Sequence, residues 1–247
     1  MKRHKLLLKS IRHPTQVLTK LYKRLIEQKN PDTKERANFL EFLSTNFDVD
    51  TKAIYSEYLN SKFKSWYDSK RFKLIKMIGH SSDTTFNFDC EMLYLLIRDL
   101  KPDIVVETGV LYGASSSHIL EALKENKNGK LYSIDLPHDS NIPSKGFLVR
   151  EAVLDRWELI IGDSKALLPK LLNKLKHIDL FFHDSLHAFD HMFWEYHMAF
   201  KYLSQGGILS THDVVNLPFL KNAFLIFCKR YNLNYWIFRN VGIAFYK

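Results

Sequence analysis

From residue 88 onward, short apolar runs alternate with stretches in which apolar residues recur every three or four positions. Those are the two periods that strands and amphipathic helices impose on a chain. Apolar runs at 103–106, 130–135, 157–161, 178–183 and, after a glycine turn at 206–207, 208–211 read as strands, and 234–238 and 241–246 read as a closing pair. Helical periods fall at 89–100, 114–123, 190–203 and 219–231, with a further helix expected between a loop at 138–146 and residue 157. Strands alternating with helices predict an α/β fold built on a mostly parallel sheet. Ahead of this region the pattern predicts helices over 33–47 and 50–67. Residues 1–30 carry apolar positions at helical intervals, broken at Pro14.

The turn after the first strand reads Glu107-Thr-Gly109-Val-Leu-Tyr-Gly113-Ala-Ser115. Its two glycines let the backbone bend sharply and approach a ligand where a Cβ would obstruct it. The spacing is not the dinucleotide G-x-G-x-x-G, and a carboxylate at Glu107 suits a cationic ligand better than a diphosphate. The second strand ends at Asp135, 22 residues after Gly113, placed to accept hydrogen bonds from both ribose hydroxyls of an adenosine. The third ends Gly162-Asp163-Ser164. The fourth and fifth end in Asp184-Ser-Leu-His187 and His212-Asp213, which brings His and Asp from two strands to the carboxyl edge where open parallel sheets bind ligands.

The acid-x-Gly-x-x-x-Gly turn resembles the first motif of the class I S-adenosylmethionine (SAM) dependent methyltransferases. The D-x-x-H and H-D endings resemble a subgroup that includes enzymes acting on hydroxyls of sugars and other small natural products. The resemblance covers about residues 88–247. It implies a Rossmann-like, seven-stranded, mostly parallel sheet with helices on both faces and an antiparallel last strand; chain length and the helical periods before residue 88 add an N-terminal helical extension that the resemblance leaves unexplained. Three parts follow: a basic amphipathic arm (1–30), a helical cap or lid (31–87) and a SAM-binding domain (88–247). Tyr55, Tyr58, Trp66 and Tyr67 fit a lid or, more commonly for aromatics at helical spacing, ordinary core packing.

The resemblance further implies cosubstrate contacts from Glu107, Gly109, Gly113, Ser115, Asp135, Asp163 and Asp184, with Asp163 or its backbone meeting the adenine amino group. The expected activity is SAM-dependent O-methylation of a small-molecule or sugar hydroxyl. His187, Asp184 and His212 are the candidate catalytic residues, and two routes to a reactive hydroxyl stand open. One is general-base catalysis by His187 or His212, whose ordinary pKa lies near neutrality. The other is a divalent metal held by Asp184, His212 and Asp213. In cation-dependent O-methyltransferases of catechol and caffeoyl type the matching set is two acids and an amide. Here the set gains a nitrogen, which suits Mn²⁺, Fe²⁺ or Zn²⁺ better than Mg²⁺. His183 and His191 read as local hydrogen-bonding groups.

Charge changes the picture at one end only. Of the net +9, residues 1–29 carry +8, from nine Lys or Arg against Glu27 alone, so the remainder is close to neutral. Such an arm suits a peripheral membrane contact, or it packs its apolar stripe on the domain or on a second copy in a homo-oligomer. The neutral remainder disfavours nucleic acid as a partner. Cys90 and Cys228 lack metal-type spacing and read as buried thiols in a reducing compartment. With no spanning run or signal segment, a cytoplasmic location is expected. The rival functions are an NAD-dependent oxidoreductase, which Asp135 would serve equally, and a non-catalytic binding protein acting through the arm.

Overall fold

The computed structural model of the chain describes residues 33–47, 49–79, 87–137, 143–215 and 218–245. The basic arm, the 80–86 segment and residues 138–142 lie outside them. Three helices come first: α1 (Thr33–Asn46), α2 (Thr51–Leu59) and α3 (Lys62–Ile78). After α4 (Asn87–Leu100) the order is β1 (Ile104–Thr108), α5 (Ala114–Asn126), β2 (Lys130–Asp135), a 3₁₀ turn (Glu151–Arg156), β3 (Trp157–Ile161) and α6 (Ser164–Leu175). The chain ends with β4 (Ile178–His183), α7 (Phe189–Phe200), β5 (Leu203–Thr211), α8 (Pro218–Arg230), β6 (Asn234–Phe238) and β7 (Val241–Phe245).

The seven strands form one sheet in the order β3-β2-β1-β4-β5-β7-β6, parallel except for β7, which runs against both neighbours. The order in which successive strands are added reverses between the parallel neighbours β1 and β4, the position at which such sheets open a crevice for a ligand. Alternation along each strand feeds two cores. Val105, Leu180, Phe182 and Ile208 face α4, α5 and the N-terminal helices, whereas Val106, Phe181 and Leu209 face α6, α7 and α8.

Several local expectations shift. The helical stretch expected over 50–67 is two helices, because Ser61 caps α3 by accepting from the Lys64 N–H and so starts a new helix after Asn60. The helix expected before residue 157 is a single 3₁₀ stretch. Gly206 and Gly207 lie inside β5 rather than ahead of it. There β5 slips in register against β4, and at Gly207 the Asp179 carbonyl would lie 3.0 Å from any Cβ.

Helices α1–α3 share a core with the sheet. Phe42 packs on Trp236 and Phe238 with ring centroids 4.8 and 5.2 Å apart, and Phe39 meets Phe238 edge-on at 5.1 Å. Tyr58 is buried, and its hydroxyl hydrogen-bonds His118 Nε2 at 3.0 Å. Burial lowers the His118 pKa to about 3, so the ring is neutral. Both cysteines are buried. Among the described residues, no helix is long and apolar enough to cross a membrane.

Candidate active site

A cavity of about 720 Å³ opens at the carboxyl ends of β1, β2, β4 and β5. Its floor is set by backbone. Gly109 has φ +87°, and a Cβ there would lie 2.0 Å from the Asp184 carbonyl oxygen, so only glycine fits. The Asp184 N–H donates to the Thr108 carbonyl at 2.8 Å, and the Gly109 N–H to the Ile134 carbonyl at 2.9 Å. The ends of β1, β2 and β4 are thereby tied together. Gly113 serves the turn differently. Its φ is +79° and a Cβ would meet Gly146 at 2.9 Å, so it admits the 143–150 segment rather than lining the cavity.

Two expected cosubstrate contacts turn inward. Glu107 is fully buried and accepts hydrogen bonds from Ser115 (2.5 Å), Ser116 (2.6 Å) and Ser133 (2.8 Å). Burial pushes its carboxyl up to about 7 against those three donors. Ser115 is spent on this contact, and neither side chain lines the cavity. The acid of the turn braces the loop from below, because alternation along β1 sends Glu107 to the α5 side of the sheet.

Asp135 does reach the cavity. Its Oδ2 accepts from the Leu111 N–H (2.9 Å) and from Lys145 Nζ (2.6 Å), and its Oδ1 from the Leu136 N–H (2.8 Å). Lys145 carries no signal in the sequence, since only folding brings the 143–150 segment over β2. Asp163 also lines the cavity and caps α6 by accepting from the Lys165 N–H at 2.9 Å. The apolar side chains of Leu111, Leu136 and Leu186 add exposed hydrophobic surface around the opening.

At the β4 and β5 ends, Asp184, His187, His212 and Asp213 meet. His212 Nδ1 lies 3.2 Å from both Asp184 Oδ1 and Asp213 Oδ1, and His187 lies 3.4 Å from Asp184 and 3.6 Å from Asp213. On its other side His212 Nε2 meets Asp89 Oδ2 at 3.2 Å. Burial alone would lower both histidines, but the carboxylates outweigh it: His187 is raised by Asp184 and Asp213, and His212 is raised well above the ordinary imidazole value. Burial would likewise raise Asp184, yet the two imidazoles hold it well below the usual carboxylate range. Asp213 stays raised because burial outweighs His212. Asp213 adopts φ +61° and accepts from Asn240 Nδ2 at 3.1 Å, which fixes its aim.

Ligand atoms of Asp184, His212 and Asp213 all lie within 4.8 Å of one another, close enough to share one ion. Two carboxylate oxygens and an imidazole nitrogen form a donor set that fits a divalent transition metal.

A second His–carboxylate cluster lies just beneath. Glu195, on α7, accepts from Thr108 Oγ1 (2.5 Å) and Ser185 Oγ (3.0 Å) and pairs with His183 Nδ1 (2.6 Å) and His191 Nε2 (2.9 Å). Burial would raise its carboxyl, but the histidines beside it hold it well below the usual range. His183 and His191 are thus locally paired, as their sequence positions suggested. Glu195 and Asp89 carried no sequence signal, because both sit inside ordinary helical periods and find their partners only across the fold.

Residues 106–214 match the family described as "Methyltransferase domain", a segment running from β1 to just past Asp213. This segment is similar to methyltransferase domains, and it holds the turn after β1 and the ends of β2, β4 and β5. Solved structures agree in architecture. The O-methyltransferase TomG from Streptomyces achromogenes, determined with SAM, is 16% identical with a TM-score of 0.60, over 78% of this chain and 95% of its own. An O-methyltransferase from Bacillus cereus, determined with S-adenosylhomocysteine (SAH), is 16% identical with a TM-score of 0.60, over 83% and 100%. The SAH-bound Podospora anserina methyltransferase PaMTH1 is 17% identical with a TM-score of 0.54, over 88% and 97%. At these identities the likeness is one of fold. No curated protein matches the sequence. The matched segment includes both His–carboxylate clusters but neither Asp89 nor Asn240.

Proposed function

We propose that the protein is a SAM-dependent O-methyltransferase acting on a hydroxyl of a small molecule or sugar. One observation carries the reading: the Asp135 carboxylate and the Asp184–His187–His212–Asp213 cluster open on the same cavity. Asp135 accepts from the ribose hydroxyls of SAM, sharing its carboxylate with Lys145. The bend at Thr108–Gly109 receives the amino-acid tail, and the Asp163–Ser164 backbone meets adenine. The acceptor lies over the β4 and β5 ends.

The reaction breaks the methyl carbon–sulfur bond and forms a carbon–oxygen bond in line, so the protein's contribution is alignment and exclusion of water. The proton lost from the hydroxyl passes to an imidazole nitrogen of His187, whose basicity Asp184 and Asp213 enhance. A divalent cation held by Asp184, His212 and Asp213 would supply Lewis acidity that makes the hydroxyl easier to deprotonate. Asp184 and Asp213 also keep the His187 ring between them, aimed at the cavity.

Calorimetry with SAH and, separately, NADH tests the donor half: heat with SAH and none with NADH is expected, and the reverse overturns the reading. For the acceptor half, methyl incorporation from labelled SAM is followed over a panel of sugars and phenols. His187→Ala should abolish it, and turnover equal to wild type in that variant removes His187 from the reaction.

A further inference from the structure

We propose that Asp89 is a positioning residue that selects which nitrogen of His212 faces the cavity as a metal ligand. The inference rests on reading Asp184, His212 and Asp213 as a divalent-cation site. Asp89 stands in the first turn of α4, 123 positions from His212, and is fully buried. Its Oδ2 lies 3.2 Å from His212 Nε2, while its Oδ1 has no hydrogen-bond partner among the described residues. A carboxylate only accepts, so the hydrogen in this contact belongs to Nε2.

The consequence falls on the opposite nitrogen. To ligate a cation the ring must keep its one hydrogen on Nε2 and present its lone pair at Nδ1, and Nδ1 lies 3.2 Å from an oxygen of Asp184 and of Asp213. Three electron-rich atoms then converge on one point, an arrangement that a cation at their centre stabilises. Without Asp89 the preference inverts. Two carboxylates would draw the ring hydrogen to Nδ1, which would donate to Asp184 or Asp213 and be blocked as a ligand. Asp89 is the only carboxylate among the described residues that faces Nε2, and partners of this kind, on the far nitrogen of a metal-bound histidine, fix tautomer and ring orientation. Its place in α4, outside the strand ends that supply the ligands, makes it part of the site through packing alone.

Mn²⁺ binding to the full-length protein, followed by the loss of the free-ion paramagnetic resonance signal and by calorimetry, provides the test, with SAH affinity and thermal melting measured alongside. Wild type should bind one Mn²⁺, and Asp184→Asn should lose it. Asp89→Asn should weaken Mn²⁺ by about 10- to 100-fold with SAH affinity kept, a split that a general loss of structure would not produce. Asp89→Leu, with the same branched arrangement of side-chain heavy atoms and no polar group to satisfy, serves if the Asn variant does not fold. Wild-type Mn²⁺ affinity in whichever variant folds overturns the role of Asp89 while leaving the cation site standing. No Mn²⁺ binding by the wild type overturns the cation site and this inference together, and SAH binding then still judges the methyltransferase reading separately.

Discussion

Two clusters of histidines and carboxylates sit side by side at the carboxyl edge of the sheet, built from the same residue types and from neighbouring positions. In the deeper one, Glu195 is surrounded by Thr108, Ser185, His183 and His191, and both its oxygens are used. In the other, Asp184, His212 and Asp213 aim three ligand atoms at one another beside open space. A closed network of this kind rigidifies the place where β1, β4 and α7 meet. An open one borders space that a ligand can enter. What separates the two here is therefore not composition but whether the shared carboxylate is enclosed by the protein's own donors or borders the cavity.

That contrast breaks if the deeper cluster proves dispensable. Glu195→Ala leaves His183, His191 and Thr108 without their shared partner, and should cost about 3–5 kcal/mol in chemical denaturation. A midpoint equal to wild type would mean that the network carries no structural load. The open cluster should respond in activity instead of stability. Asp184→Ala should lower methyl transfer by roughly 10²–10³-fold, about 3–4 kcal/mol in the barrier, with little change in unfolding. A variant that unfolds readily yet turns over normally would exchange the roles assigned to the two clusters.

Glu107 sharpens the comparison, being buried and closed but without a histidine. Its folded-state pKa of about 7 exceeds the ordinary value of 4.5, so the native state holds the extra proton between those limits. Stability from this group is fully present below about pH 4.5 and declines as pH rises towards 7, by an upper bound of about 3 kcal/mol. Glu107→Gln should remove that slope, and denaturation midpoints across pH 5–8 with an unchanged slope would contradict it. The smallest effect is expected at the open acid of β2. Asp135→Ala should weaken SAH by about 1.5–3 kcal/mol in calorimetry, the range for hydrogen bonds to a charged group, and unchanged affinity would place the ribose elsewhere.

Much of the fold was legible because strand and helix periods are local. The seven strands and the strand–glycine–helix turn lie close to where apolar alternation puts them, with the bounds of β1 and α5 shifted by two or three residues, whereas the reversal of β7 was implied only by the family resemblance. The ends of β2, β4 and β5 were legible for the same reason, and Asp135, Asp163, Asp184, His187, His212 and Asp213 all line the cavity. Side-chain direction was not. A one-residue offset along β1 decides that Glu107 turns under the loop while the Gly109 backbone meets the cavity, and a motif read as a string does not carry that offset. Neither could the sequence divide His183 from His187, since their difference lies in whether Glu195, on a later helix, reaches them. Asp89, Asn240 and Lys145 were invisible for a plainer reason: each acts on residues that only the folded chain brings near.

The approach of Gly109 to the Asp184 carbonyl has a further consequence for engineering. The spacing between the bend at Gly109 and Asp184 is written in main chain, at a point where not even a methyl group can be inserted. Side-chain redesign can alter what the pocket accepts, but it cannot retune that interval. New acceptor preferences will have to come from the rim, where Leu111, Leu136 and Leu186 leave room to vary.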